Sequence, residues 1–233
     1  MHEIKLAAPG KNAMSSELMG FIREQLKAAG GAPVLFVGDG DAFSAGLNLK
    51  EVGSLDAPAM ARFIDLLEDM VLELFLYPGP TVACVNGHAI AGGAVLALCC
   101  DHRVVTSNPK ARIGLNEVAI GLAFPPRVLA LAKNRLPRRH LTQVLLGAAL
   151  HDCHRAVELG LADEVADDPH AVGKQRLDAL AAHPAGAYAA TKLALRSGVL
   201  GPTPEERARF ERDDLPVWTS DAIKQRIRSM LAR

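Results

Sequence analysis

Aromatic residues are scarce: they make up 4% of the 233-residue chain, with a single Trp. The interior must therefore be filled mainly by Ala, Leu and Val, and a hydrophobic content of 49% suffices for one sizeable domain. An excess of charge of one sign is lacking too. The 26 Lys and Arg balance the 26 Asp and Glu. No global field draws the chain to nucleic acid or to an anionic membrane, so an anionic ligand has to be held by local groups. No apolar run approaches the ~20 residues of a membrane-spanning helix, and the opening MHEIKLAAPG lacks the basic-then-apolar layout of a secretory leader. Cysteine is limited to Cys84, the adjacent Cys99 and Cys100, and Cys153. This is no disulfide framework, and it suits a reducing, cytoplasmic setting.

Familiar signatures are missing as well. The AGG at 91–93 lacks the G-x-G-x-x-G spacing of dinucleotide sites, and neither a phosphate loop nor a G-x-S-x-G nucleophile elbow occurs. His151, Cys153 and His154 lie together in HDCH, but no fourth ligand or distant pair completes a metal centre, so the run reads as a loop before a helix. RLPRRH at 135–140 is basic without interleaved aromatics, which suits a helix start or a subunit contact better than nucleic acid.

What is present is an alternation of strands and helices. HEIKLAA alternates like a strand, while PVLFVGDG and TVACVNG are continuous apolar runs that suit buried strands. Residues 15–31 and 56–79 have helical periodicity, with Ser15 or Ser16 as a cap and Gly30-Gly31 as a stop. DAFSAGLNLKEV reads as a loop, and IAGGAVLALCCDHRVV as glycine turn, helix and strand. From His170 onward the chain reads as helical, broken at Pro184, Pro202, Pro204 and Pro216. The pattern predicts an α/β core followed by C-terminal helices.

Three segments carry the chemistry: FSAGLNL (43–49), NGHAIAGGAVLALCCD (86–101) and IGLNEVAIG (113–121). Small residues after a buried strand let backbone N–H groups approach a ligand, and two convergent donors can hold an oxyanion. The same glycines could equally serve tight turns and helix–strand packing. The third segment places one carboxylate, Glu117, in an apolar, glycine-bounded run. A buried lone Glu is costly unless it is paired or used. It is therefore either a capping or ion-paired residue, or a base whose pKa is raised by Ile113, Leu115, Val118 and Ile120.

In this order the segments resemble the two oxyanion loops and the catalytic segment of the crotonase (enoyl-CoA hydratase/isomerase) superfamily. The likeness runs from about Ile4 to the C-terminus and includes ELGLADEV and AATKLALR. The resemblance implies a ClpP/crotonase-like α/β fold of stacked β-β-α turns. Residues 1–169 would form the core, and 170–233 a helical region for trimerisation and active-site cover. It further implies an acyl-CoA thioester substrate, with CoA as part of the substrate and no separate cofactor or metal, and a homotrimer or dimer of trimers. The oxyanion donors would be the backbone N–H groups of Leu47 and Gly92, with Ala45, Gly46, Asn48, Leu49, Lys50 and Asn116 completing the substrate contacts.

Hydratases of this superfamily use two glutamates, and the first falls here on Val95. Only Glu117 remains. GLNE, the absence of a PG-x-GG-T phrase after Gly121, and WTSDAIKQRIRSML are similar to the mitochondrial-type 3,2-trans-enoyl-CoA isomerases, in which one base suffices. The alternatives are another crotonase reaction (hydration, thioester hydrolysis, decarboxylation) and a non-catalytic CoA-binding protein. Asn48 stands where the family has an acid, which puts the anchoring of that loop in question. Family members also carry an extra strand before the segment like HEIKLAA, so an altered sheet edge or assembly is expected. Lys50, and less so Lys11, is placed for the CoA phosphates. His88 could line the pocket but reads better as a satisfied core or interface residue.

Overall fold

The computed structural model describes residues 1–232. Five parallel strands form one sheet: His2–Leu6 (β1), Val34–Gly38 (β2), Thr81–Val85 (β4), His102–Thr106 (β6) and Glu164–Ala166 (β8), in the order β1-β2-β4-β6-β8. A second parallel sheet holds Ala42–Ser44 (β3), His88–Ile90 (β5) and Ile113–Gly114 (β7). The chain runs β2-β3-helix, β4-β5-helix, β6-β7, so each β-β-α turn adds one strand to each sheet.

The residue types account for the layering. All five residues of β4 are buried, as a central strand covered on both faces requires. At the edge, β1 alternates, with Ile4 and Leu6 buried and Glu3 and Lys5 exposed. One sheet face sends Leu35, Val82, Cys84 and Val104 against Leu177 of the helix Pro169–Ala181. The other sends Phe36, Ala83, Val85 and Val105 into the main core. Helix Ser16–Ala29 starts where the Ser15 side chain accepts the Leu18 N–H and stops at Gly30 in the left-handed region. Helix Ala57–Phe75 is capped in the same way by Asp56.

The second sheet accords with the β-β-α turns that the resemblance implies, but the residue pattern alone does not show it. Its strands are two or three residues long, too short to carry a period, and they exist because parallel pairing orders them, for instance Ala89 with Ile113. The stretch expected to be loop also contains a helical turn, Leu49–Val52. No helix among the described residues is long and apolar enough to cross a membrane.

The C-terminal helices dock through charge as well as apolar contact. Asp101 accepts Lys192 Nζ at 2.8 Å, Arg196 Nη2 at 2.7 Å and the Tyr188 hydroxyl at 2.9 Å. Burial alone would raise the Asp101 pKa, but the two cations outweigh it and hold the carboxyl below its ordinary range. Arg196 also donates to the carbonyls of Phe75 and Cys99, the C-terminal ends of two helices. Helix Ala185–Arg196 is thereby fixed to the core.

Candidate active site

The first loop is shaped by a strained turn ahead of it. Gly10, Lys11 and Asn12 all lie in the left-handed region, at φ 76°, 60° and 57°. Asn tolerates this conformation, and here it is held: the buried Asn12 side chain donates to the carbonyls of Asp39 and Ala42, both at 2.9 Å, and accepts the Ala8 N–H at 3.3 Å. The turn then grips residues 44–48. Lys11 O accepts Ala45 N–H, Asn12 O accepts the Ser44 hydroxyl, Met14 N–H donates to Gly46 O, and Asn48 N–H donates to Met14 O. Flanked by these bonds, the Leu47 N–H has no partner among the described residues.

The second donor sits at the start of helix Gly92–Cys99. The preceding Ala91 adopts φ 47° and ψ −118°, a conformation costly for a residue with a side chain by about 1–3 kcal/mol. It is held there by its N–H bond to Gly114 O at 2.8 Å. Strain of this kind re-aims the backbone, and the next amide, Gly92, also has no partner among the described residues. A Cβ on Gly92 would lie 3.5 Å from the Leu47 nitrogen, so the two amides lie close together, and 2.3 Å from Met14 Cε, so the Met14 side chain would have to move aside.

Both amides border a cavity of about 80 Å³ that Glu117 also lines. Glu117 opens a 3-10 turn, Val118–Ile120, and its carbonyl accepts the Leu122 N–H. The side chain is 7% exposed; it caps nothing and joins no ion pair, and Oε2 is buried without a partner. The capping and ion-pair alternatives therefore do not hold among the described residues. Burial pushes the carboxyl up to about 7. Val95, Val52, Leu67, Val128 and Trp218 line the same cavity. A carboxyl poised near neutrality beside two unpaired amide donors can move a proton next to a group that becomes an oxyanion.

An enoyl-CoA hydratase/isomerase family profile matches residues 1–224. The chain belongs to the enoyl-CoA hydratase/isomerase family. It is similar to the mitochondrial enoyl-CoA delta isomerase 1 of Mus musculus, with 34% identity over 134 residues, 58% of this chain and 46% of that protein. It is also similar to a putative enoyl-CoA hydratase of Thermus thermophilus, with 37% identity over 136 residues, 57% of this chain and 53% of that one. The alignments thus span about half the length of these relatives. Among solved structures, human mitochondrial delta3-delta2-enoyl-CoA isomerase superposes with a TM-score of 0.91 at 24% identity, over 99% of this chain and 92% of that chain. That likeness establishes the fold.

Within this family fold, the residues singled out in the sequence divide clearly. Ala45, Leu47, Leu49, Gly92, Asn116 and Glu117 line the cavity together. Gly46, at φ 95°, lies behind it and brings the two loops into contact. Asn48 does not line the cavity; its Oδ1 caps the turn Leu49–Val52, accepting from Lys50 N–H and Glu51 N–H, so an uncharged side chain anchors the loop. Lys50 is exposed within that turn, whereas Lys11 is engaged with Asp41 at 3.2 Å. His88 accepts the Arg112 N–H through Nδ1 and does not line the cavity. In HDCH, His151 bridges to Ile113, Asp152 caps helix Cys153–Leu159, and Cys153 is buried.

The sequence reading missed Asn12, Met14, Trp218 and Met230. Asn12 left a trace in PGKN, a run of turn formers ahead of a helix. Trp218 and Met230 reach the cavity only through the folding of the C-terminal helices, and no local pattern signals that.

Proposed function

We propose that this protein moves the double bond of a 3-enoyl-CoA thioester to the 2-trans position, with Glu117 as the single base. The thioester oxygen accepts the N–H groups of Leu47 and Gly92. Glu117 removes a proton from C2, and the electron pair delocalises through the alkene as a dienolate whose negative oxygen sits on the two amides. Glu117 then returns the proton at C4, leaving the double bond between C2 and C3. No atom is gained or lost, so one carboxylate completes the cycle.

The observation that carries this reading is that the cavity lined by an unpartnered, buried Glu117 is also lined by Val95, where hydratases of the superfamily have their other glutamate. Water addition would call on a second proton carrier, and Val95 cannot be one. On this reading CoA enters as part of the substrate with no separate cofactor, its phosphates meet Lys50, the chain works as a homotrimer or dimer of trimers, and the compartment is cytoplasmic. Four free, buried cysteines accord with a reducing setting.

The test is direct. With 3-hexenoyl-CoA, the conjugated 2-enoyl thioester appears as rising ultraviolet absorbance, and Glu117→Gln abolishes the rise. An inactive native protein that instead bleaches 2-hexenoyl-CoA would assign hydration, the reading favoured by the likeness to the Thermus protein.

A further inference from the structure

We propose that Trp218 limits the acyl chain, so that the substrates are short-chain acyl-CoA thioesters; this rests on the acyl-CoA reading above. The cavity's free space of about 80 Å³ accommodates on the order of five to eight water-sized groups. The reacting end is fixed first, with the thioester oxygen at the Leu47 and Gly92 amides and C2 to C4 beside Glu117. The remaining carbons meet a wall of Val52, Leu67, Val128 and Trp218, each at most 3% exposed.

Trp218 is the bulkiest of these and heads the fully buried side chains of the protein by volume. It ends the short helix Leu215–Trp218, which follows a π-turn at Phe210–Asp214 and packs on helix Ala57–Phe75. The wall is therefore seated between elements and is not a free flap. The indole nitrogen has no hydrogen-bond partner, so packing alone sets the ring's position and its bulk is what the chain end meets. Extending an acyl group beyond about eight carbons means displacing a packed ring, which tight interiors resist.

Calorimetric titration with the saturated butanoyl-, hexanoyl- and dodecanoyl-CoA tests this without any turnover. Dodecanoyl-CoA is expected to bind the native protein and Trp218→Phe at least about tenfold more weakly than hexanoyl-CoA, and Trp218→Ala within about threefold of it. Trp218→Leu serves where thermal unfolding shows that the Ala variant has not folded. Equal native binding of the long and short thioesters overturns the inference, as does unchanged discrimination in a folded Ala or Leu variant. Binding of none of the three overturns the acyl-CoA reading and the length limit together. Length-independent binding overturns the limit alone.

Discussion

A methyl group on Gly46 would stand 3.5 Å from the Gly92 backbone nitrogen and 2.8 Å from the Ile90 carbonyl oxygen. The two loops that carry the unpaired amides are thus in contact through Gly46, whose φ of 95° disfavours any side chain. Gly46→Ala must push the loops apart. On the proposed mechanism the donors act mainly on charge that develops in the transition state, so kcat is expected to fall by about 100- to 1,000-fold while KM changes far less. Steady-state kinetics on 3-hexenoyl-CoA, with circular dichroism as the folding control, checks the split.

On the proposed mechanism proton removal needs ionised Glu117, whose pKa burial raises to about 7. The rate kcat/KM should therefore rise about tenfold per pH unit below 7 and level off above it. A flat profile between pH 5.5 and 8.5 would exclude Glu117 as the base.

The same shift is linked to stability. Between the ordinary carboxyl value of 4.5 and about 7 the folded state binds a proton that the unfolded chain has released. Stability is thus lost as pH rises through that window, by about 3 kcal/mol in all. Glu117→Gln lacks this loss, so its stability relative to the native protein should increase by about 3 kcal/mol from pH 4 to pH 8. Urea melts of both proteins at the two pH values measure the gap.

Asn12 is 3% exposed, and its side chain bonds to Ala8, Asp39 and Ala42. Asn12→Ala removes these bonds, strands buried backbone groups and leaves Ala at a positive φ, for a cost of about 2–4 kcal/mol. Since the adjoining carbonyls and Met14 hold residues 44–48, the folded variant should also lose kcat more than affinity. Denaturation curves and kinetics on the same preparation separate the two effects.

Much of this architecture could be read along the chain, for reasons that differ by element. β2 and β4 announced themselves because central parallel strands are apolar on both faces, and helix Ser16–Ala29 because its caps, Ser15 and Gly30, are local chemistry. The glycine loops and Glu117 were legible because small residues after a strand and a lone carboxylate in an apolar run stand out from their surroundings, whereas the choice of Leu47 and Gly92 came from the family resemblance. The short strands β3, β5 and β7 were not, since three residues cannot display a period and their order comes from pairing partners far along the chain.

The order of residues therefore determined the longer elements, the family and the lone carboxylate in an apolar run, all of which depend on neighbours a few positions apart. It did not determine what that carboxylate would face. Whether Glu117 was paired or bare, which amides were left without partners, and how Trp218 and Met230 came to enclose the cavity were decided by packing between segments as far apart in the chain as Ala45 and Met230. Burial and hydrogen-bond satisfaction are properties of the assembled interior, so the raised pKa of Glu117 exists only once the chain has folded around it.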